Sequence, residues 1–435
     1  LLPLVSFTIP LVLGNLFQLT YNAADSVIVG KYVGEQALAA VGTSTPIMNI
    51  AILLISGMCM GASVLMSSQY GAKDYDTLSR QISTTMLAGC GFSVVFSLLM
   101  LLLANPVLRL IRVPETAIPE AAAYLRIIFM GLIFTFMYNF LANTMRALGD
   151  SKTPLYFLVT SAFLNIFGDL FFVVVLRWGV AGSAIATVCS EGLCCLLCGI
   201  YIKKKIPLLC LGKKWWVFDK SLLGKTVSYG STSAMQQVCL QLGKLIIQSV
   251  VNTQGVAVMA AFTAVNRVDD FAYTPQQNIG HAMTTFLAQN KGAGHKERMK
   301  KGFQTGLLIE LVYSIGLFCV IWGLAPQIMT LFAEDGDAQV VSLGISYLHL
   351  ISWMYILPGL TNGVQGFFRG IGDLKVTLYS TFMNMFGRVV AVFVMIRLLQ
   401  MEFASLAWAN MVGWIVMLLF EVPLLVKSMR NGECG

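Results

Sequence analysis

With 435 residues, 57% of them hydrophobic and only 11% charged, the chain departs from ordinary soluble domains, in which about a quarter of residues are charged. It reads as an integral membrane protein. The formal charge of +8 does not indicate nucleic acid, because the Lys and Arg residues gather in particular connections between apolar stretches rather than on one face.

A bilayer-crossing helix needs about 20 apolar residues. The stretches that qualify are 1–29, 37–68, 82–104, 121–145, 153–176 and 180–202, then 222–252, 256–288, 303–324, 340–367, 375–398 and 403–427. No basic leader with a small-residue cleavage site precedes the first, so a cleaved signal is not expected. Pro10, Pro46, Pro275 and Pro358 fall inside spans, where each removes a backbone hydrogen bond and bends the helix.

Sorted between alternate connections, roughly twenty Lys and Arg lie on one side and about five on the other. The basic side is expected to be cytoplasmic, with both termini there. It includes Lys203, Lys204, Lys205, Lys213, Lys214, Lys220 and Lys225, then Lys291, Lys296, Arg298, Lys300 and Lys301. Anionic lipid headgroups are the expected partner of these loops. The ten cysteines are scattered along spans and read as small hydrophobes.

The chain repeats itself. Tyr124-Leu125 through RALGD (Arg146–Asp150) recurs as Tyr347-Leu348 through RGIGD (Arg369–Asp373), and NIFGD (Asn165–Asp169) is echoed by NMFGR (Asn384–Arg388), which sets Arg388 against Asp169. Ala37–Gly42 and Gln69–Lys73 parallel Val258–Thr263 and Gln289–Gly294. Six spans per half give parallel repeats related by an axis along the membrane normal, a design that places substrates between halves. The domains expected are residues 1–202, a basic cytoplasmic linker at 203–221, and residues 222–435. RALGD and RGIGD read as helix terminators, with Arg meeting the C-terminal dipole and Gly suited to a left-handed cap.

The chemistry is expected where acids lie inside apolar spans. Asn15, Gln18, Asn22 and Asp25 share one stripe of the first helix. A charge near the bilayer centre costs about 2.5–3.5 kcal/mol on insertion scales, so Asp25 points to an internal cavity and ion handling. Asp169 lies one turn beyond Asn165 at a comparable depth, and two carboxylates in one poorly solvated pocket repel unless a proton or a sodium ion intervenes. Thr187 adds a hydroxyl, making an oxygen-only donor set suited to a hard cation. In the second half Lys244, Arg267, Asp269, Asp270 and Arg388 read as internal ion pairs rather than a second cation site. Glu191, Glu310 and Glu421 stand as single acids without a constellation, and His281 and His349 read as packed or interfacial.

These residues resemble the multidrug and toxic compound extrusion (MATE) transporters over nearly the whole chain. The resemblance rests on Asp25–Gly30 through Ala37–Gly42, on Arg146–Pro154, and on Asn165–Asp169 followed by Gly179–Thr187. It implies an all-α membrane fold of twelve transmembrane helices in two pseudo-symmetric six-helix bundles forming a V-shaped cavity. It also implies a cation-coupling site at Asp25, Asn165, Asp169 and Thr187, a substrate cavity that includes Gln18, and a hinge at Pro10. The stripe adds Asn22 to that cavity, and Asn143 is assigned to it as well. The pattern is similar to the DinF-like branch. It differs at Gly168-Asp169-Leu170, where relatives often carry a proline after the acid, and this bears on the local backbone.

The function expected is a secondary antiporter of the inner membrane, monomeric and without cofactor, that exports amphipathic cationic drugs or toxins in exchange for H⁺ or Na⁺. A flippase of a lipid-linked precursor and an exporter of one native metabolite are the alternatives within transport. A membrane-embedded lipid-modifying enzyme is the alternative outside it, but no acid-rich metal cluster lies at a membrane face.

Overall fold

The computed structural model describes the backbone of residues 2–33, 35–110, 113, 115, 117–206, 216–332, 338–399, 403 and 405–430. The side chains of 2, 3, 19, 21–27, 29, 30, 35–40, 43, 256, 332, 397 and 398 lie outside that description. Every regular element among the described residues is helical. The helices are α1 (Leu2–Tyr32), α2 (Glu35–Gly71), α3 (Tyr75–Leu110), α4 (Ile118–Met130), α5 (Leu132–Ala147), α6 (Lys152–Asp169) and α7 (Gly179–Lys205). They continue as α8 (Lys220–Val251), α9 (Val256–Gly292), α10 (Lys296–Phe332), α11 (Ala338–Ser352), α12 (Ile356–Ile371), α13 (Leu374–Phe393) and α14 (Ser405–Arg430).

These make the twelve transmembrane helices of the fold, because two spans are broken. The α4–α5 pair bends by 47° at Gly131, and a 3₁₀ turn, Trp353–Tyr355, separates α11 from α12. Both α6 and α13 end in π-helical turns, Leu170–Val175 and Val394–Leu398. Pro10, Pro46 and Pro275 lie within helices, and Pro358 follows the 3₁₀ turn.

The chain divides into two compact units, Ile9–Ala234 and Met235–Gly435 with Leu1–Thr8, so that α8 contributes to both. In the first unit Ile55, Met66, Leu78, Ile82, Leu125, Phe129, Phe136 and Phe140 are packed out of contact with solvent. The second is centred on Phe262, Val265, Tyr347, Tyr355 and Trp414. Of the basic stretch after α7, 207–215 lie outside the described residues, and its far end is tied to α3. There Ser83 Oγ accepts from Val217 N at 3.1 Å, Thr84 Oγ1 accepts from Asp219 N at 3.0 Å, and Arg80 pairs with Asp219 at 3.4 Å.

RALGD and RGIGD end their helices as expected of terminators. Gly149 and Gly372 take φ of 92° and 86°, a left-handed conformation that glycine adopts without a Cβ penalty. Asp150 then starts the next helix, its Oδ1 accepting from the backbone N–H of Lys152 and Thr153 at 3.1 and 3.0 Å.

Candidate functional site

The first unit brings Asn165, Asp169 and Thr187 to one place. Gly168 lets α6 and α7 approach, since a Cβ there would lie 2.9 Å from the Ala186 Cβ. One turn earlier, Asn165 Nδ2 donates to Thr187 Oγ1 at 3.2 Å, while Thr187 donates to the Ser183 carbonyl at 3.1 Å. Asn165 Oδ1 is buried with no hydrogen-bond partner among the described residues, and Asp169 is fully buried. Asp169 stands where α6 gives way to its π-turn, a local widening that recurs at functional positions. The backbone following the acid is a π-turn, Leu170–Val175.

Thr187 also lines a cavity, together with Met48, Ile52, Ile128, Leu132, Thr135 and Glu191. About 20 Å³ of it admits the centre of a water molecule, room for one water or a similarly small ion and too little for a drug. Glu191 accepts from Thr135 Oγ1 at 2.5 Å, so this acid, which looks isolated in sequence, shares the cavity with Thr187. The available signal was that Glu191 is the one acid of α7.

Other expected residues separate from this cluster. Asp25 and Asn22 lie on α1, but their side chains fall outside the described residues. Gln18 is exposed. Asn143 spends its amide on the Asn139 carbonyl of its own helix at 2.8 Å. Pro10 is buried inside α1.

The second unit carries a different polar centre. Asp269 is buried and accepts from the hydroxyls of Tyr355 and Tyr347 at 2.6 and 2.9 Å, and Tyr347 in turn accepts from Asn410 Nδ2 at 2.9 Å. Arg388 acts electrostatically on Asp269 from α13. Asp270 pairs instead with Lys244 at 3.3 Å, both half exposed, which matters little for stability. His281 meets Arg369 at 3.3 Å and His349 packs on Trp322.

The register of the repeat needs one correction. Carrying the offset of Arg146 to Arg369 into the next helices matches Lys152-x-x-Leu155-Tyr156 with Lys375-x-x-Leu378-Tyr379, and the π-turns then end together at Val175 and Leu398. Arg388 therefore corresponds to Asn165, and Asp169 to the apolar Val392. The similar NIFGD and NMFGR strings had suggested a match one turn away.

A family model described as MatE matches residues 10–171 and again 233–394, two stretches in that same register. The chain belongs to the MatE family of membrane transporters. It is 32% identical over 378 residues to the probable multidrug resistance protein YpnP of Bacillus subtilis, covering 86% of this chain and 83% of that protein. It is 23% identical over 423 residues to the probable multidrug resistance protein NorM of Thermotoga maritima, covering 95% and 89%. A solved MOP-superfamily transporter from Pyrococcus furiosus superposes with a TM-score of 0.91 at 21% identity, covering 98% of this chain and 96% of that one. An outward-facing multidrug resistance MATE transporter gives 0.90 at 22% identity, covering 98% and 95%. The protein is thus a multi-pass membrane transporter rather than an enzyme.

Proposed function

We propose that this MATE transporter is an inner-membrane antiporter that exports amphipathic cationic compounds in exchange for H⁺ or Na⁺ bound in its first unit. The observation that carries the proposal is the buried Asp169 one turn from the Asn165–Thr187 hydrogen bond, with the Asn165 carbonyl oxygen still unsatisfied. Such an oxygen-only set suits a proton or a hard monovalent cation. Asp25, on α1, supplies the second carboxylate, and Pro10 gives that helix its bending point. This residue set agrees with a DinF-like pattern. Multidrug export as the transported class is supported by the names of the relatives, including the multidrug export protein MepA of Staphylococcus aureus at 19% identity.

In the cycle, Asp25 and Asp169 take up the cation in the outward-open state, α1 adjusts near Pro10 and substrate leaves; return to the other conformation resets the site. Coupling requires that the cation bind the substrate-free and substrate-loaded states with different affinity. The transporter works as a monomer without a cofactor, its termini cytoplasmic and its basic loops against anionic headgroups. The test is efflux of cationic dyes from cells lacking their own pumps. Extrusion of structurally varied cations is expected; movement of a single lipid-linked precursor or metabolite, with no resistance to such dyes, would overturn the multidrug reading.

A further inference from the structure

Two spans of the second unit, α8 and α9, carry polar surface where lipid would be expected. At 32 and 37 residues each is long enough to cross a bilayer, yet unlike α10, α13 and α14 neither is apolar enough to stand out as a span by hydropathy. The polarity is confined to one side of each helix. On α8, Gln241, Lys244, Gln248 and Asn252 recur at three- and four-residue steps and so share a stripe, while the exposed Met235, Leu242 and Ile246 point the other way. On α9, Thr263, Arg267, Asp270 and Gln277 form a second exposed stripe with the same repeat. Lys244 Nζ lies 3.3 Å from Asp270 Oδ1, which joins the two stripes into one face.

Depth decides what this face meets. Lys244 lies seven residues, about 10 Å, inside the end of α8, and Arg267 lies eleven residues, about 16 Å, inside the start of α9. Charges that deep are costly against lipid, and the side chains of Lys244 and Asp270 are each 54% exposed, so the face meets water. The helix repeat does not require these charges, since the matching stretch of α2, residues 44–52, holds no ionisable side chain. Asp269 is turned inward to Tyr347 and Tyr355, with Arg388 acting on it, so the face itself presents Lys244 and Arg267 against Asp270. We propose that Lys244 and Arg267 hold the carboxylate of an exported zwitterion, with Asp270 occupying Lys244 until the substrate displaces it. Arg267 precedes Asp270 by one turn on the same face, with Cβ atoms about 5–6 Å apart, so a carboxylate that takes the place of Asp270 is in reach of the guanidinium. The half-exposed pair is worth little, so exchanging its carboxylate costs little, while the planar fork of Arg267 adds hydrogen bonds that match a carboxylate. A cation without an acid group gains nothing there. The assignment names a substrate class within the proposed export function and rests on that function.

The experiment titrates purified full-length transporter in detergent with two rhodamines, read by fluorescence polarisation. One has a free carboxyl group and is a zwitterion at neutral pH; the other is its methyl ester, a plain cation. The proteins are wild type, Lys244→Gln, Arg267→Gln, the charge-keeping Lys244→Arg and Asp270→Asn. Expected is binding of the free acid weakened about tenfold or more in Lys244→Gln and Arg267→Gln, with the ester changed by less than about twofold. Lys244→Arg should keep the affinity for the acid, and Asp270→Asn, which removes the competing carboxylate, should tighten it about threefold. Should a glutamine variant not fold, the tightening in Asp270→Asn still reads the site. Equal weakening of both dyes in the glutamine variants, wild-type binding of both, or a wild type that binds only the ester would overturn the assignment. Export is read separately, as loss of each dye from cells lacking their own pumps. If the ester is exported while acid binding ignores Lys244 and Arg267, the carboxylate site falls and the export reading stands. If neither dye is exported although acid binding depends on both cations, the export reading falls and the carboxylate site stands.

Discussion

Where the second unit has Asp269, Tyr273 and Tyr355, the corresponding residues of the first are Met48, Ile52 and Leu132, which line the water-sized cavity beside Thr187. The shared helix arrangement has been filled in opposite ways. In the second unit, tyrosine hydroxyls and a nearby Arg388 satisfy a buried acid and leave it nothing to bind. In the first, Asn165 replaces that arginine and its carbonyl oxygen is unsatisfied; Glu191 lines the space, and the buried Asp169 lies one turn from Asn165. On the proposed function, the duplicated scaffold keeps one copy of a polar centre closed and opens the other to an exchangeable ion. Buried polar networks are stabilising only when complete, so the incomplete first-unit set is the one the proposal assigns to ion binding.

The contrast can be broken most severely at Asp169. Asp169→Asn should lower dye efflux from cells more than about tenfold at unchanged membrane abundance, while Asp270→Asn, at an exposed pair, should stay near wild type. Arg388→Met should act on stability: it leaves Asp269 buried without its cation, a loss of about 3 kcal/mol read as earlier thermal unfolding in detergent. A large loss of efflux per folded molecule in that variant would erase the distinction between the units. Glu191→Gln should be milder, keeping the Thr135 hydroxyl bond but removing the cavity's charge, and should reduce efflux a few-fold, or by about 1 kcal/mol. The smallest effect is at Asp74, which starts α3 by accepting from Thr77 N at 3.1 Å. The Thr77 hydrogen bonds hold the Asp74 carboxyl below its usual range. Its small stabilisation is present above the unfolded carboxylate value of about 4 and lost as pH falls through the lowered folded value. Asp74→Ala should remove that part of the acid-side pH dependence of melting.

The membrane spans were legible because hydropathy alone separates them, and the positions of the breaks were less so. Residues 82–104 and 303–324 underestimate α3 and α10, which begin at Tyr75 and Lys296, because polar, charged turns there extend the helices past the apolar stretch. The Asn165 and Asp169 pair was readable from one-turn spacing, and Thr187 from its hydroxyl on the following span and from the family resemblance; the close approach of α6 and α7 at Gly168 was not. Nor was Glu191, since its partner Thr135 comes from a helix distant in sequence. Arg388 was misplaced by one turn because the Asn-x-Phe-Gly string recurs near the same height on both helices, and only the π-turns and the Lys-x-x-Leu-Tyr match set the register.

The most direct measurement is export of a cationic dye by the purified transporter in proteoliposomes, with proton and sodium gradients imposed separately on wild type and Asp169→Asn. The expected result is that at least one gradient drives export by wild type and neither drives it in the variant, although dye binding persists. Gradient-driven export by Asp169→Asn at the wild-type rate would contradict a coupling site in the first unit.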